Sequence, residues 1–398
     1  MMGRVLHSAF LRIFLCVMLA FLVLVPQFQP IVMADDMQQE AADELDKNVE
    51  ELLNELDLQA LQEYLNSLDF FQGESVVDRL TAYIKGEGVD YENILQALSD
   101  VLFKNVKQLF PSFVTIAAIA LLSGLLTMLK SGTAGQTSSE MTFLICYVAA
   151  LIPLIGVLSE CFEVTLNSVN EMHKQMQIIY PILLTLMAAS GSGLSVAVCK
   201  PAVAFFSQSI VSIIANVVFP ISITIVAFSM AANLTKELKI SKFTAFFKSM
   251  NKWIMGICIS VFGLFFTLQG ITASVYDGVV RRTAKYAIGN GIPIVGGFLS
   301  GGFDLAVAGS ILIKNSLGSF SILLMVFILF EPLVLLIAVN VLLRLTAAIV
   351  QPFGDSRISD FLGETADNLR YCTAGLLFIA FAYFLSIVLI VLSSESLF

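Results

Sequence analysis

GSFSILLMVFILFEPLVLLIAVNVLLRL, residues 318–345, decides the fold. Between residues 322 and 339 one charged side chain, Glu331, interrupts an otherwise apolar run, and Pro332 follows it. A helix rises about 1.5 Å per residue, so about 20 residues cross the hydrocarbon layer of a bilayer. This stretch is long enough. Working outward, similar apolar runs occupy 111–129, 141–158, 178–198, 205–231, 253–275, 292–313 and 371–392. The composition agrees: of 398 residues, 57% are hydrophobic and 13% charged, with a mean hydropathy of +0.87. A soluble domain carries about a quarter charged residues. The expected fold is an all-α polytopic membrane protein of six to eight transmembrane segments, with a small helical extracytoplasmic region at its N-terminus.

That N-terminal region begins behind a targeting segment. Arg4 and Arg12 precede the apolar run 13–25, and Val32-Met33-Ala34 resembles a small-residue cleavage site, so residues 1–34 read as a signal peptide, with an uncleaved anchor as the alternative. Either places residue 35 onward outside the cytoplasm. Residues 35–110 hold 18 acidic residues against 5 basic ones, although the whole chain is only -9. Such a surface does not suit nucleic acid or an anionic lipid face. Within it Leu45, Val49, Leu52 and Leu56, and then Leu58, Leu61, Leu65 and Leu68, recur at helical spacing. The multispanning domain is 111–398.

Proline and cysteine positions suggest repetition. A shift of 112 residues superposes Cys146 on Cys258, Pro181 on Pro293 and Pro220 on Pro332, and Cys372 continues the series. The units so defined are 111–219, 220–331 and a partial third, 332–398. The search for such repeats is motivated by transporter architecture. The first two units close on a glycine-containing apolar segment, YPILLTLMAASGSGLSVAVCKP (180–201) and IPIVGGFLSGGFDLAVAG (292–309). Glycine breaks helices and lets backbones approach closely, and irregular backbone at membrane depth survives only against protein or a watery cavity. Residues 293–313 and 181–199 are therefore expected to be broken or re-entrant, the alternative being straight helices with small residues for tight packing. On the first reading Gly296, Gly297, Gly301, Gly302 and Asp304 line or gate a path, with Gly191 and Gly193 opposite. Glu331 is the further candidate, either cavity-lining or a protonated acid bonded to a neighbouring helix. Arg344, four residues after Asn340, is expected to snorkel to the interface.

Residues 234–252 place Lys236, Lys239, Lys242, Lys248 and Lys252, with Trp253 beside them, among aromatic and apolar side chains. This pattern fits an interfacial helix on anionic lipid or a docking face for a cytoplasmic partner. If all eight apolar segments span, the lysines fall outside; if the glycine segments are re-entrant, they move inside, which the positive-inside rule prefers.

The catalytic inventory is thin. His7 lies in the signal segment and His173 in a polar stretch without a nucleophile signature. No phosphate-binding loop, HExxH or GxSxG occurs, and none of Cys16, Cys146, Cys161, Cys199, Cys258 and Cys372 forms a CxxC pair. No cofactor, metal or catalytic residue is expected. A stand-alone secondary transporter is the alternative function, and an intramembrane enzyme using Asp304 and Glu331 as an acid pair is a third.

A signal segment, an acidic helical region and apolar hairpins containing YPILLTLMAASGSG (180–193) and GGFLSGGFDLAVAGSILIKNSLG (296–318) together resemble the stage III sporulation protein AE family of endospore-forming bacteria. The resemblance implies a permease-like, non-enzymatic component of a feeding-tube-like channel in the mother cell membrane around the forespore. Its implied partners are other stage III sporulation channel proteins, including a secretion-type ATPase, ring-forming membrane proteins and a forespore protein. It carries over no site residues.

Overall fold

The computed structural model describes residues 58–67, 75–84, 91–130, 136–190, 208–234, 240–291, 296–352 and 356–392, with isolated positions besides; at 91–106, 127–130, 136–139 and 268–306 it gives the backbone alone. The signal segment, Gly191, Gly193, Lys236 and Lys239 lie outside the described residues. All the described elements are helical. They are α1 (Gln59–Asn66), α2 (Val76–Ile84), α3 (Tyr91–Lys130), α4 (Gln136–Ala189), a π-helical turn (Ile214–Val218) running into α5 (Phe219–Leu234), α6 (Ser241–Gly291), α7 (Gly296–Val350) and α8 (Ser356–Leu392).

Cross-helix bonds fix their order and direction. Gln108 on α3 donates to Glu160 on α4 (3.1 Å), and Gln175 on α4 donates to the Ser321 carbonyl on α7 (2.8 Å). Tyr147 on α4 donates to the Met230 carbonyl on α5 (2.9 Å), while Ser359 on α8 donates to the Ala347 carbonyl on α7 (3.0 Å). Asn251 on α6 donates to Ser222 on α5 (2.9 Å). Neighbouring helices therefore alternate in direction. The ends of α3, α5 and α7 and the starts of α4, α6 and α8 gather at one end, here the lower one. Arg357, 3.3 Å above the Phe143 ring centroid, ties α8 to α4 there.

Six helices of the described chain are long and apolar enough to cross a membrane. The expected pairs of segments 141–158 with 178–198 and 292–313 with 318–345 merge, the first up to Ala189, into α4 and α7 of 54 and 55 residues. The break expected inside 293–313 is absent from Gly296 onward, where the backbone is one helix. A helical glycine loses about 1 kcal/mol relative to alanine, less than a backbone pair left unbonded in an apolar setting. Residues 191–195 lie outside the described ones.

Each merged helix has a lower and an upper character. On α4 the outward residues Met141, Ile145, Val148, Ile152 and Ile155 are exposed and apolar. Above them Glu160, Glu163, Asn167, Asn170, Lys174 and Gln177 are exposed and polar. On α7 exposed Ile337, Val341, Leu345 and Ile349 continue the apolar belt. The belt on α4 spans about 20 Å, the scale of a hydrocarbon layer, and the polar face above it suits water.

Proline is absorbed without a break. Pro111, Pro220 and Pro332 all fall in descending helices, and Cys146, Cys258 and Cys372 in ascending ones. Thr115, Thr185 and Thr224 each donate a hydroxyl to the carbonyl of the proline four residues earlier, at 2.9, 2.9 and 2.8 Å. Proline removes a helical donor and crowds the carbonyl four residues before it; at Pro220 the π-helical turn just ahead takes up the mismatch. The N-terminal helices sit on the upper half. Val49, Leu53, Leu61, Leu65 and Leu80 are buried, and the Tyr64 hydroxyl donates to the Glu171 carbonyl (3.3 Å). Burial, and then the Glu171 carboxylate, push that hydroxyl well above its usual range.

Candidate functional site

A polar seam runs between α5, α6 and α8 at the depth of the apolar belt. Glu364, Asn368 and Cys372 stand four residues apart on α8, so they share one face. Ser229 of α5 donates to the Glu364 carboxylate at 2.9 Å. One turn up, Asn368 is 1% exposed, and neither atom of its amide has a hydrogen-bond partner within the chain. Above it Cys372 is fully buried, and on α5 the Ser222 hydroxyl accepts from Asn251 of α6. The Asn251 carbonyl oxygen is buried without a partner too. Further up, Tyr180, Tyr383 and Ser386 line a crevice with room for about one water, closed by Met176, Ile210 and Phe262. Unpaired amides inside an apolar bundle are costly, by about 1–3 kcal/mol each.

Beside the seam lies a charged strip. Arg344 of α7 donates to Asn340 (3.0 Å) and pairs with Asp367 of α8 (2.6 Å), which also faces Arg370 at 3.5 Å. Asn340 in turn donates to the Ala366 carbonyl. Arg344 thus reaches across the bundle surface to a carboxylate of α8 instead of snorkelling to the end.

The residues expected from sequence are arranged otherwise. Gly296, Gly297, Gly301, Gly302 and Asp304 fall in the helical backbone of α7, their side-chain surroundings outside the described ones. Glu331 is exposed, above the apolar belt of α7. It stands twenty-seven residues from Asp304 on one uninterrupted helix, about 40 Å along the axis, so the two cannot form an acid pair within a chain. Lys242, Lys248, Lys252 and Trp253 belong to the foot of α6, which stands upright along α5 rather than lying on a surface: Phe247 stacks on Phe228 at 5.6 Å. No glycine or proline interrupts residues 241–255, so nothing ends the helix where the lysines stop. Lys242 and Lys252 are exposed, and Trp253 is 70% exposed. The seam residues Ser222, Ser229, Asn251, Glu364 and Asn368 and the buried Lys314 were missed. The spacing 364, 368, 372 carried a signal; the partners on α5 and α6 carried none. Among the described residues no cluster of three His, Cys, Asp or Glu side chains is placed to hold a metal.

Among the described residues, six apolar helices that alternate in direction define a multi-pass membrane protein. The family model for stage III sporulation protein AE matches residues 75–394, and the chain belongs to that family. It is also similar to a Bacillus subtilis (strain 168) protein named "Stage III sporulation protein AE", at 24% identity over 319 residues, covering 80% of each chain. No solved structure matches.

Proposed function

We propose that the chain is a non-enzymatic, permease-like component of the channel joining mother cell and forespore, forming its pore or base in the mother cell membrane. Its partners are a secretion-type ATPase, ring-forming membrane proteins and a forespore protein, and α1 and α2 stand in the space between the two membranes. Family membership supplies the link to sporulation. The observation that carries the channel role is the seam Glu364–Asn368–Cys372, polar and partly unpaired inside an apolar belt. The orientation rests on charge: Lys242, Lys248 and Lys252 stand at the foot of α6, which suits a cytoplasmic face.

The test is a sporulating strain whose only copy carries Asn368→Leu. Heat-resistant spores fall at least tenfold while the protein's level in the membrane is unchanged. A normal spore yield from this variant removes the seam from the channel. Purified wild-type protein in liposomes, without partners, takes up no solute; uptake there would replace the channel component with a carrier acting alone.

A further inference from the structure

The charged strip on α7 and α8 does not fit lipid. Arg344 and Asp367 are 42% and 56% exposed. Arg344 stands between Val341 and Leu345, both exposed in the apolar belt. The bond from Asn340 to the Ala366 carbonyl sets Asp367 at the height of Val341 and Ile337. From Ser356, where α8 begins, Asp367 is about 16 Å up the helix, near mid-depth of the hydrocarbon. An ion pair at that depth faces protein or water.

The strip has the form of a helix–helix seam. Ser356, Asp360, Gly363, Asp367, Arg370 and Ala374 follow one another at spacings of four and three, and all are exposed or half-buried. This is the a/d register of a coiled coil. Ser, Gly and Ala sit among the ions, and a Cβ built on Gly363 would meet nothing within 4 Å, so a neighbouring backbone can come close. The exposed charges balance: Arg344 and Arg370 against Asp360 and Asp367. A path for an ion of one sign would carry an excess of the other. A balanced strip, with acid and base side by side at one height, is what a two-fold axis along the membrane normal can pair reciprocally, since copies inserted the same way meet at equal heights.

We propose that this strip is the interface with a second copy of the chain, packed α8 against α8, with Arg344 and Arg370 of each copy sharing Asp367 of the other. This stands independently of the channel role.

The experiment is disulfide trapping of the full chain in membranes. Gly363→Cys gives an intermolecular disulfide dimer absent from the parent chain, and Ile152→Cys, on the lipid face of α4, gives none. On the Gly363→Cys background, Arg344→Asp or Asp367→Arg lowers the dimer yield at least fivefold, and the two together restore it. The control for folding is that each variant keeps its membrane level. Equal trapping at positions 363 and 152, trapping insensitive to the charge reversals, or capture at 363 of another protein alone overturns the proposal. So does subunit counting in nanodiscs that finds the wild-type chain only as single copies.

Discussion

Lys314 is fully buried in α7, and its ammonium donates to the Val391 carbonyl at 2.7 Å. That carbonyl belongs to the last turn of α8, where helical carbonyls lack partners and a cation is favoured. Lys314→Met keeps the length and loses the donor. It should destabilise the bundle by about 1.5–3 kcal/mol, read as a lower midpoint in thermal unfolding in detergent. Asn368 presents the opposite case. Its amide is buried without partners in the chain, so Asn368→Leu replaces a poorly satisfied polar group by an apolar one of similar size. The unfolding midpoint should hold or rise, while the spore yield falls. A residue that served only packing would lose both together. Neither side chain could be ranked from sequence alone: Lys314 reads as a loop lysine between two apolar runs until the continuous α7 places it opposite the end of α8.

At the scale of elements, small residues separate close contacts from open ones. A Cβ on Gly318 of α7 would lie 2.5 Å from the Val391 methyl and 3.4 Å from that of Ile387, so α7 and α8 touch there through the missing side chain. Gly318→Val should cost about 1–3 kcal/mol through overpacking. Gly263 of α6, whose Cβ would meet nothing within 4 Å, should gain up to about 1 kcal/mol on replacement by alanine. Comparing the two unfolding midpoints checks the packing of α7 on α8 directly. What could be read of the elements follows the same physics. Apolar runs announced the spans, but prolines did not tell their direction, since Pro153 and Pro181 lie in ascending α4. The joins were hidden because residues 159–177, amphipathic in pattern, stand apart in composition from the apolar runs on either side. In space Glu160, Glu163, Asn167, Asn170, Lys174 and Gln177 form one helical face. A polar face and a polar loop have the same composition; only the period tells them apart.

Across the whole molecule, alternating direction fixes sidedness. Glu140, Lys242 and Gln351 are exposed near the lower end, and Ser67 and Lys174 are exposed in the upper half. Single cysteines at the first three positions should react with a membrane-impermeant thiol reagent only from the cytoplasmic side, and those at the last two only from the opposite side. Labelling of Lys174→Cys together with Gln351→Cys from one side would dismantle the arrangement of α4 beside α7 and α8. The six spans among the described residues also return the carboxyl end of α8 to the side of α1 and α2.

The length of α4 has a mechanical result. Its 54 residues amount to about 80 Å of helix, of which the hydrocarbon takes about 30 Å. The portion above Leu158 is a mast of about 45 Å, braced by α7 and α8 and touched on its flank, at Glu171, by α1. A body that grips its tip is held at a set stand-off from the bilayer, and inserting or deleting a turn in the braced helices would reset that clearance by about 5 Å.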